Sequence, residues 1–344
     1  MVNDISGPAL EDRDAGALGS VILDRRDWRG GIGRYLAETA PFLPPSLPLT
    51  SRWRPTHPLA PVELGLKLRR MGRGPFFSHG YLPPLNSPVP AVVTLHDLMY
   101  LRGHGAQSAA RAAYMGALRP LYRRCAAVVT MSEAARDEIT HWLGERVPVV
   151  AVGGGVGPQF HPADPPSAPE RPVVLYVGSR GDNKNVSGVL GGFERSEASR
   201  SAELWLTGTE REWSEHVAPF DHRLDGRIRF LGRVADEDLP GVYRSASVLL
   251  IPSLEEGYGL PALEAMASGV PVVHSTHRAL VEAVGGAGIA VEATDWSAIG
   301  AGLDAVFADE ATARDMAARG RERAVTMTWQ ATADRITALL RSLT

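Results

Sequence analysis

The stretch Val248-Leu249-Leu250-Ile251-Pro252-Ser253-Leu254-Glu255-Glu256-Gly257-Tyr258-Gly259-Leu260-Pro261-Ala262-Leu263-Glu264-Ala265-Met266-Ala267-Ser268-Gly269-Val270-Pro271-Val272-Val273 reads as strand, acidic glycine loop, short helix and second strand. Val248 to Ile251 is a short apolar run that suits a strand buried in a parallel sheet. Gly257 and Gly259 let the backbone turn tightly and approach a ligand closely. Pro261 fits the opening of a helix, where a missing N–H costs nothing. Gly269 stands where a left-handed residue ends that helix. A helix N-terminus presents unpaired N–H groups and partial positive charge, which suits phosphate. Glu256 and Glu264 bracket the turn. Carboxylates repel phosphate but accept hydrogen bonds from hydroxyls. Amides for phosphate beside acids for hydroxyls describe a sugar-nucleotide site.

Working outward, strands and helices alternate twice over. Upstream of the quoted stretch, Val173 to Val177, Glu203 to Thr207 and Arg227 to Leu231 are predicted strands, with helices over Val186 to Arg195 and Asp236 to Ser245. In the first half the predicted strands are Gly19 to Asp24, Phe76 to His79, Ala91 to His96, Ala126 to Met131 and Val147 to Val152. Helices are predicted over Ile32 to Leu43, Ala106 to Tyr122 and from the N-cap Ser132 to Trp142. The proline-rich Pro162 to Pro172 reads as a linker between domains. The expected fold class is therefore α/β: two Rossmann-like domains with parallel sheets, and a ligand in the crevice between them. Residues 1–20 are expected to be a flexible lead-in, 21–165 the N-terminal domain, 166–328 the C-terminal domain, and 329–344 an amphipathic helix.

A chain of 344 residues is long enough for two domains. Hydrophobic content of 44% and charged content of 22% are those of a soluble globular protein, and no apolar run is long enough to span a bilayer. The polar, acidic start of the chain does not read as a secretory signal. The single Cys125 excludes an internal disulfide and fits a reducing compartment as a buried, inert thiol. Net charge is -3, but residues 50–146 hold 13 Lys and Arg against 6 Asp and Glu. The basic clusters are Lys67, Arg69, Arg70, Arg73 and Arg119, Arg123, Arg124. With no transmembrane or long basic amphipathic helix expected, any contact with anionic lipid should be weak, reversible and salt-sensitive. Nucleic acid is not expected, because aromatics do not interleave with these charges.

Three further loops fall at the expected crevice. Arg29-Gly30-Gly31-Ile32-Gly33-Arg34-Tyr35 places Gly31 and Gly33 at a helix start, open to phosphate or sugar. His96-Asp97 ends a strand, where an imidazole can bond a hydroxyl or phosphate. Asp97 orients His96 or caps the next segment. Gly178-Ser179-Arg180-Gly181-Asp182-Asn183-Lys184-Asn185 carries Arg180 and Lys184, cations suited to phosphate oxygens. Gly153-Gly154-Gly155-Val156-Gly157 is followed by prolines and reads as a turn, not a dinucleotide fingerprint. His274 and His277 lack a third ligand nearby, so no metal site is expected.

Together these motifs resemble the retaining glycosyltransferase family 4, which has the GT-B fold. The resemblance runs from Gly30 to about Trp329. Glu256 and Glu264 keep that family's spacing of two acids, with Tyr258 where Phe is commoner. The family's EGFG, GGIGRY, THD and GTREPRKN-like segments all have counterparts here. The resemblance implies catalytic roles for Arg180, Lys184, Glu256 and His96. It implies donor contacts for Gly31, Gly33, Gly257, Tyr258, Gly259, Leu260 and Glu264. Glu282 matches a further acidic position, expected to start a helix first and contact donor second. The last helix is expected to cross back to the first domain. The implied reaction moves a hexosyl unit, mannosyl favoured and GDP-mannose the donor, to an acceptor hydroxyl in a glycan or glycoconjugate. It proceeds with retention and without metal or other cofactor, in the cytoplasm with at most peripheral contact with the membrane. UDP-hexose and dTDP-deoxysugar donors stay open, as does a lipid-linked, small-glycoside or secondary-metabolite acceptor. An inert sugar-nucleotide-binding subunit is the alternative from another class. An NAD(P)-dependent oxidoreductase is disfavoured, because neither glycine run opens a helix with a ribose-binding acid about twenty residues on.

Overall fold

The computed structural model describes residues 20–26, 30–101, 106–162, 170–224 and 226–344. The expected lead-in and most of the proline-rich linker lie outside those residues. The first half contains β1 (Val21–Asp24), α1 (Gly30–Thr39), β2 (Ser46–Leu49), α2 (Ala60–Met71), β3 (Phe76–Ser78), β4 (Ala91–Thr94), α3 (Ala106–Tyr122), β5 (Ala127–Thr130), α4 (Glu133–Leu143) and β6 (Val149–Ala151). The second half runs β7 (Val173–Tyr176), α5 (Val186–Arg195), β8 (Glu203–Leu206), α6 (Glu210–Val217), α7 (Asp221–Leu224), β9 (Ile228–Phe230), α8 (Leu239–Arg244) and β10 (Val248–Ile251). It finishes with α9 (Leu260–Ala267), β11 (Val272–Ser275), α10 (Arg278–Val284), β12 (Ile289–Val291), α11 (Trp296–Ala308), α12 (Glu310–Val325) and α13 (Trp329–Ser342).

Each half is one parallel six-stranded sheet, ordered β2-β1-β3-β4-β5-β6 and β12-β11-β10-β7-β8-β9. Strand order reverses beside β1 in the first sheet and between β7 and β10 in the second. Crevices for ligands open at such reversals. The strands are short, apolar and mostly buried, so each sheet needs cover on both faces. One apolar layer lies between the two sheets and joins Leu23, Phe77 and Val129 to Leu175, Leu249 and Ile251. Tyr35, Tyr258 and Trp329 bridge that layer. Separate outer layers cover the far face of each sheet.

The quoted stretch folds as read: strand to Ile251, α9 from Leu260, and Gly269 at φ 76° after the helix. Other expectations needed correction. Strand β2 was unread because Pro48 interrupts it; a proline is tolerated there because β2 is an edge strand. Helix α2 lies outside the predicted helices, although its buried Ala60, Leu64 and Leu68 keep the helical spacing. Glu282 does not start α10 but lies in its second half.

The last helix, α13, packs on α1 of the first half. It gets there along the Gly153–Gly157 turn, where Val156 bridges Thr328 and Arg335 Nη1 donates to Val152 O at 3.0 Å. A Cβ on Gly155 would stand 2.3 Å from Trp329 N, so the glycine permits this crossing. Among the described residues, no helix is long and apolar enough to cross a membrane, and no cluster of side chains could hold a metal ion.

Candidate functional site

The loops after β1, β4, β7 and β10 meet at the facing sheet edges around a cavity of about 600 Å³. Its walls include Gly31, His96 and Asp97 from the first half and Lys184, Glu256, Gly257, Tyr258, Gly259 and Leu260 from the second. Gly33, Arg180 and Glu264 do not line it.

Asn185 fixes the donor-side loops. It takes the left-handed conformation at φ 53°, and its side-chain oxygen accepts from Gly188 N at 3.1 Å to cap α5. Its amide nitrogen donates to Pro252 O at 2.9 Å and Ala293 O at 2.6 Å, tying the loop after β7 to the loop after β10. Leu254 N donates to Asn183 O at 2.8 Å, and Asn183 Nδ2 donates to Glu255 O at 3.2 Å. Lys184 Nζ then lies 2.7 Å from Glu256 Oε1, which also accepts from Ser253 Oγ at 2.9 Å. The side chain of Glu256 is only 8% exposed and that of Lys184 21%. Loss of solvent strengthens this pair.

The glycine turn is shaped from both sides. Gly259 has φ 105°, which a side chain would strain. A Cβ on Gly257 would stand 3.2 Å from Asp97 Oδ2, across the cleft. Ser132 Oγ donates to Gly257 O at 2.8 Å while accepting from Ala135 N, so one hydroxyl caps α4 and holds the turn of the other half. Tyr258 offers its backbone to the cavity while its ring is buried between the halves. Its hydroxyl donates to Gly154 O at 3.3 Å, and burial raises the phenol pKa.

On the facing wall, His96 Nε2 lies 3.0 Å from His79 O and therefore carries the proton. Burial lowers the pKa of both imidazoles, so His96 is a neutral donor already engaged with backbone. Asp97 Oδ1 accepts from Met99 N at 3.0 Å. Burial, and then the charge of Glu256, raise the pKa of the Asp97 carboxyl against the pull of the Met99 amide.

Glu264 is 3% exposed, beneath the cavity wall. It accepts from Tyr243 Oη at 2.8 Å and pairs with Arg34 Nη1 at 2.7 Å. Burial pushes its carboxyl up to about 7 against the pull of Arg34 and Tyr243. Arg180 turns to Glu212 at 2.9 Å, with its guanidinium 6.0 Å from the Trp213 ring centroid. Glu282 accepts from Glu133 N and Ala134 N, capping α4 of the other half at 2.9 and 3.3 Å.

Arg34, Ser132 and Tyr243 are the participants outside the sequence expectation, whereas Asp97 caps the next segment, one of the two roles expected of it. Arg34 stood inside the quoted glycine loop. Its partner is 230 positions away, and no local spacing signals such a pair. Ser132 was read as an N-cap, which accounts for one of its two bonds.

Residues 33–160 match the family described as Glycosyltransferase Family 4, and residues 171–309 that described as Glycosyl transferases group 1. The chain is similar to O-antigen chain mannosyltransferase B of Escherichia coli, 38% identical over 162 residues. That match covers 46% of this chain but only 42% of the relative. Among solved structures, the sucrose-phosphate synthase of Thermosynechococcus elongatus has a TM-score of 0.75 at 21% identity, covering 94% of this chain and 98% of that one. Anabaena HepE, solved with UDP and glucose, has a TM-score of 0.73 at 17% identity, covering 94% and 100%. At these identities the likeness shows the fold alone, which is GT-B.

Proposed function

The chain belongs to the group 1 glycosyltransferases of the family 4 type, and from that premise we propose a retaining hexosyltransferase that uses a nucleoside diphosphate sugar and needs no metal. The observation that carries this reading is the Lys184–Glu256 pair, set on the donor side of the cavity and facing Asp97 and His96. The diphosphate lies toward Lys184 and the amides that open α9, with the hexose against the Gly257–Gly259 turn. Arg180 leaves Glu212 to join Lys184 on the phosphate. Glu264 accepts from the ribose hydroxyls, which requires Arg34 to release one of its oxygens. An acceptor hydroxyl enters from the His96–Asp97 side.

In the reaction the acceptor oxygen bonds to the anomeric carbon as the bond from that carbon to phosphate oxygen breaks. The departing phosphate takes the acceptor proton on the same face, so configuration is retained. Negative charge grows on the phosphate, and placed cations stabilise it more in the transition state than before it. The protein supplies position and charge rather than a nucleophile.

A mannosyl donor is favoured because a mannosyltransferase is among the similar proteins. HepE with UDP keeps uridine donors under test. A lone, half-buried cysteine, Cys125, fits a cytoplasmic setting. The test is release of nucleoside diphosphate from GDP-mannose, UDP-glucose and a dTDP-sugar, with and without EDTA, and NMR of the anomeric product. A donor bound but never turned over would mean an inert subunit. Activity lost with EDTA would overturn metal independence, and an inverted product would overturn retention.

A further inference from the structure

We propose that the outer face of α2 docks on an anionic lipid bilayer and holds the acceptor side of the cavity against it. Leu59 caps α2, and Leu59, Val62 and Leu66 follow helical spacing on the face away from the core. They are 53%, 37% and 54% exposed, while Ala60, Leu64 and Leu68 on the opposite face are buried. Exposed Arg69 and Arg70 continue the same face, and exposed Arg73 follows just past the helix end. An apolar stripe followed by cations matches a surface with an apolar interior and anionic headgroups.

The helix carries one carboxylate, and it does not cancel these arginines. Glu63 is taken by Lys67 at 3.0 Å, Ser51 Oγ at 2.7 Å and the amide of Arg52 at 2.9 Å. Against the push of burial, those bonds hold its carboxyl down to about 2. The turn before the helix adds exposed Arg52 and Arg54, and Trp53 stacked on His57 with centroids 3.8 Å apart. The Trp53 ring also packs on the outer core of the first half. By contrast, the second basic cluster is engaged within the protein. Arg123 Nε donates to Leu143 O at 2.7 Å, Arg124 to Asn86 at 3.1 Å, and Arg119 lies over the Trp142 ring at 5.6 Å.

The stripe is continuous with the site. Thr56, in the turn that leads into α2, lines the cavity, and Tyr114 Oη donates to Pro55 O at 2.5 Å beside it. A bilayer under α2 thus lies next to the acceptor entrance. The occupant is lipid rather than nucleic acid because apolar side chains precede the cations. It is lipid rather than a second copy because a two-fold contact sets the arginines against their own copies if the helices run parallel, and toward Arg52 and Arg54 if they run antiparallel. The sequence reading expected contact by charge alone; the stripe adds an apolar contribution that salt does not screen.

The test is cosedimentation of the full chain with vesicles of phosphatidylcholine, with and without phosphatidylglycerol, at low and high salt. Phosphatidylglycerol vesicles should retain the protein at low salt, and a fraction should survive high salt. Leu59→Gln/Leu66→Gln should lower that surviving fraction about 10-fold or more, given roughly fivefold per half-buried leucine. Arg69→Gln/Arg70→Gln/Arg73→Gln should abolish the preference for phosphatidylglycerol. Melting temperatures and donor hydrolysis without vesicles should match the unsubstituted protein, which separates this test from that of sugar transfer. No retention at low salt, or retention unchanged in both variants, overturns the proposal. So does a dimer in solution that Leu59→Gln/Leu66→Gln dissolves, which would assign the stripe to a second copy.

Discussion

Lys184 and Arg180 differ in their present engagement, and that difference is testable. Lys184 already faces the cavity on Glu256, whereas Arg180 is held on Glu212. Lys184→Ala should lower turnover about 100-fold, the scale of losing one transition-state contact of about 3 kcal/mol. Arg180→Ala should lower it comparably if the arginine swings onto phosphate. Steady-state kinetics on folded variants check both, and unchanged turnover in both would remove these cations from the mechanism. Glu264 makes a second prediction. Its carboxyl rises from 4.5 to about 7 on folding, so the folded chain holds that proton more tightly than the unfolded chain. The resulting stability is complete below the unfolded value and is lost as pH rises from about 4.5 to about 7. The loss is on the order of 3 kcal/mol. Glu264→Gln stays neutral and should lack this component. Urea unfolding at pH 5 and pH 8 gives the comparison, and parallel pH dependences would refute the assignment. The variant should also bind nucleoside diphosphate more weakly in calorimetry, because a neutral amide oxygen is the poorer acceptor for ribose hydroxyls.

At the scale of elements, α4 is the part of the first half most tied to the second. Its N-terminus takes the Glu282 carboxylate from α10, its N-cap Ser132 grips Gly257, and Asp137 meets Arg278 at 2.8 Å. The exposed Asp137 pair adds little. The two partly buried ties matter more. Ser132→Ala should cost about 1 kcal/mol of stability from the lost cap. It should also lower turnover, because the glycine turn loses its restraint; denaturation and kinetics on one preparation separate the two effects. Unchanged turnover would confine Ser132 to capping. The central strands were legible because β-branched apolar runs of four residues have few other fates. Ser132 was legible as a cap because its chemistry is local. The bond from Ser132 to Gly257 spans 125 positions and was not. Nor was the Arg34–Glu264 pair, since both depend on how the two sheets face each other. Helix α2 was legible in its spacing of Ala60, Leu64 and Leu68 but was not predicted; its Pro61 stands in the first turn, where proline does not break a helix.

For the whole molecule, the cavity belongs to neither half alone, so ligand binding should stabilise both sheets together. A nucleoside diphosphate at one hundred times its dissociation constant should add about 2.7 kcal/mol to the stability of the folded chain. A thermal-shift panel of nucleotides reads this directly and ranks the bases. Absence of a shift with every nucleotide would count against the donor site itself. The path of α13 carries a consequence for how the molecule is made. The first sheet is built from residues up to Ala151, and α1 packs on it, yet one flank of α1 is covered only by Trp329–Ser342. At roughly 5–20 residues per second, the ribosome emits the whole second half before that cover exists. The N-terminal half therefore waits through most of translation with one flank uncovered, and the last helix to emerge closes the first half to have been made.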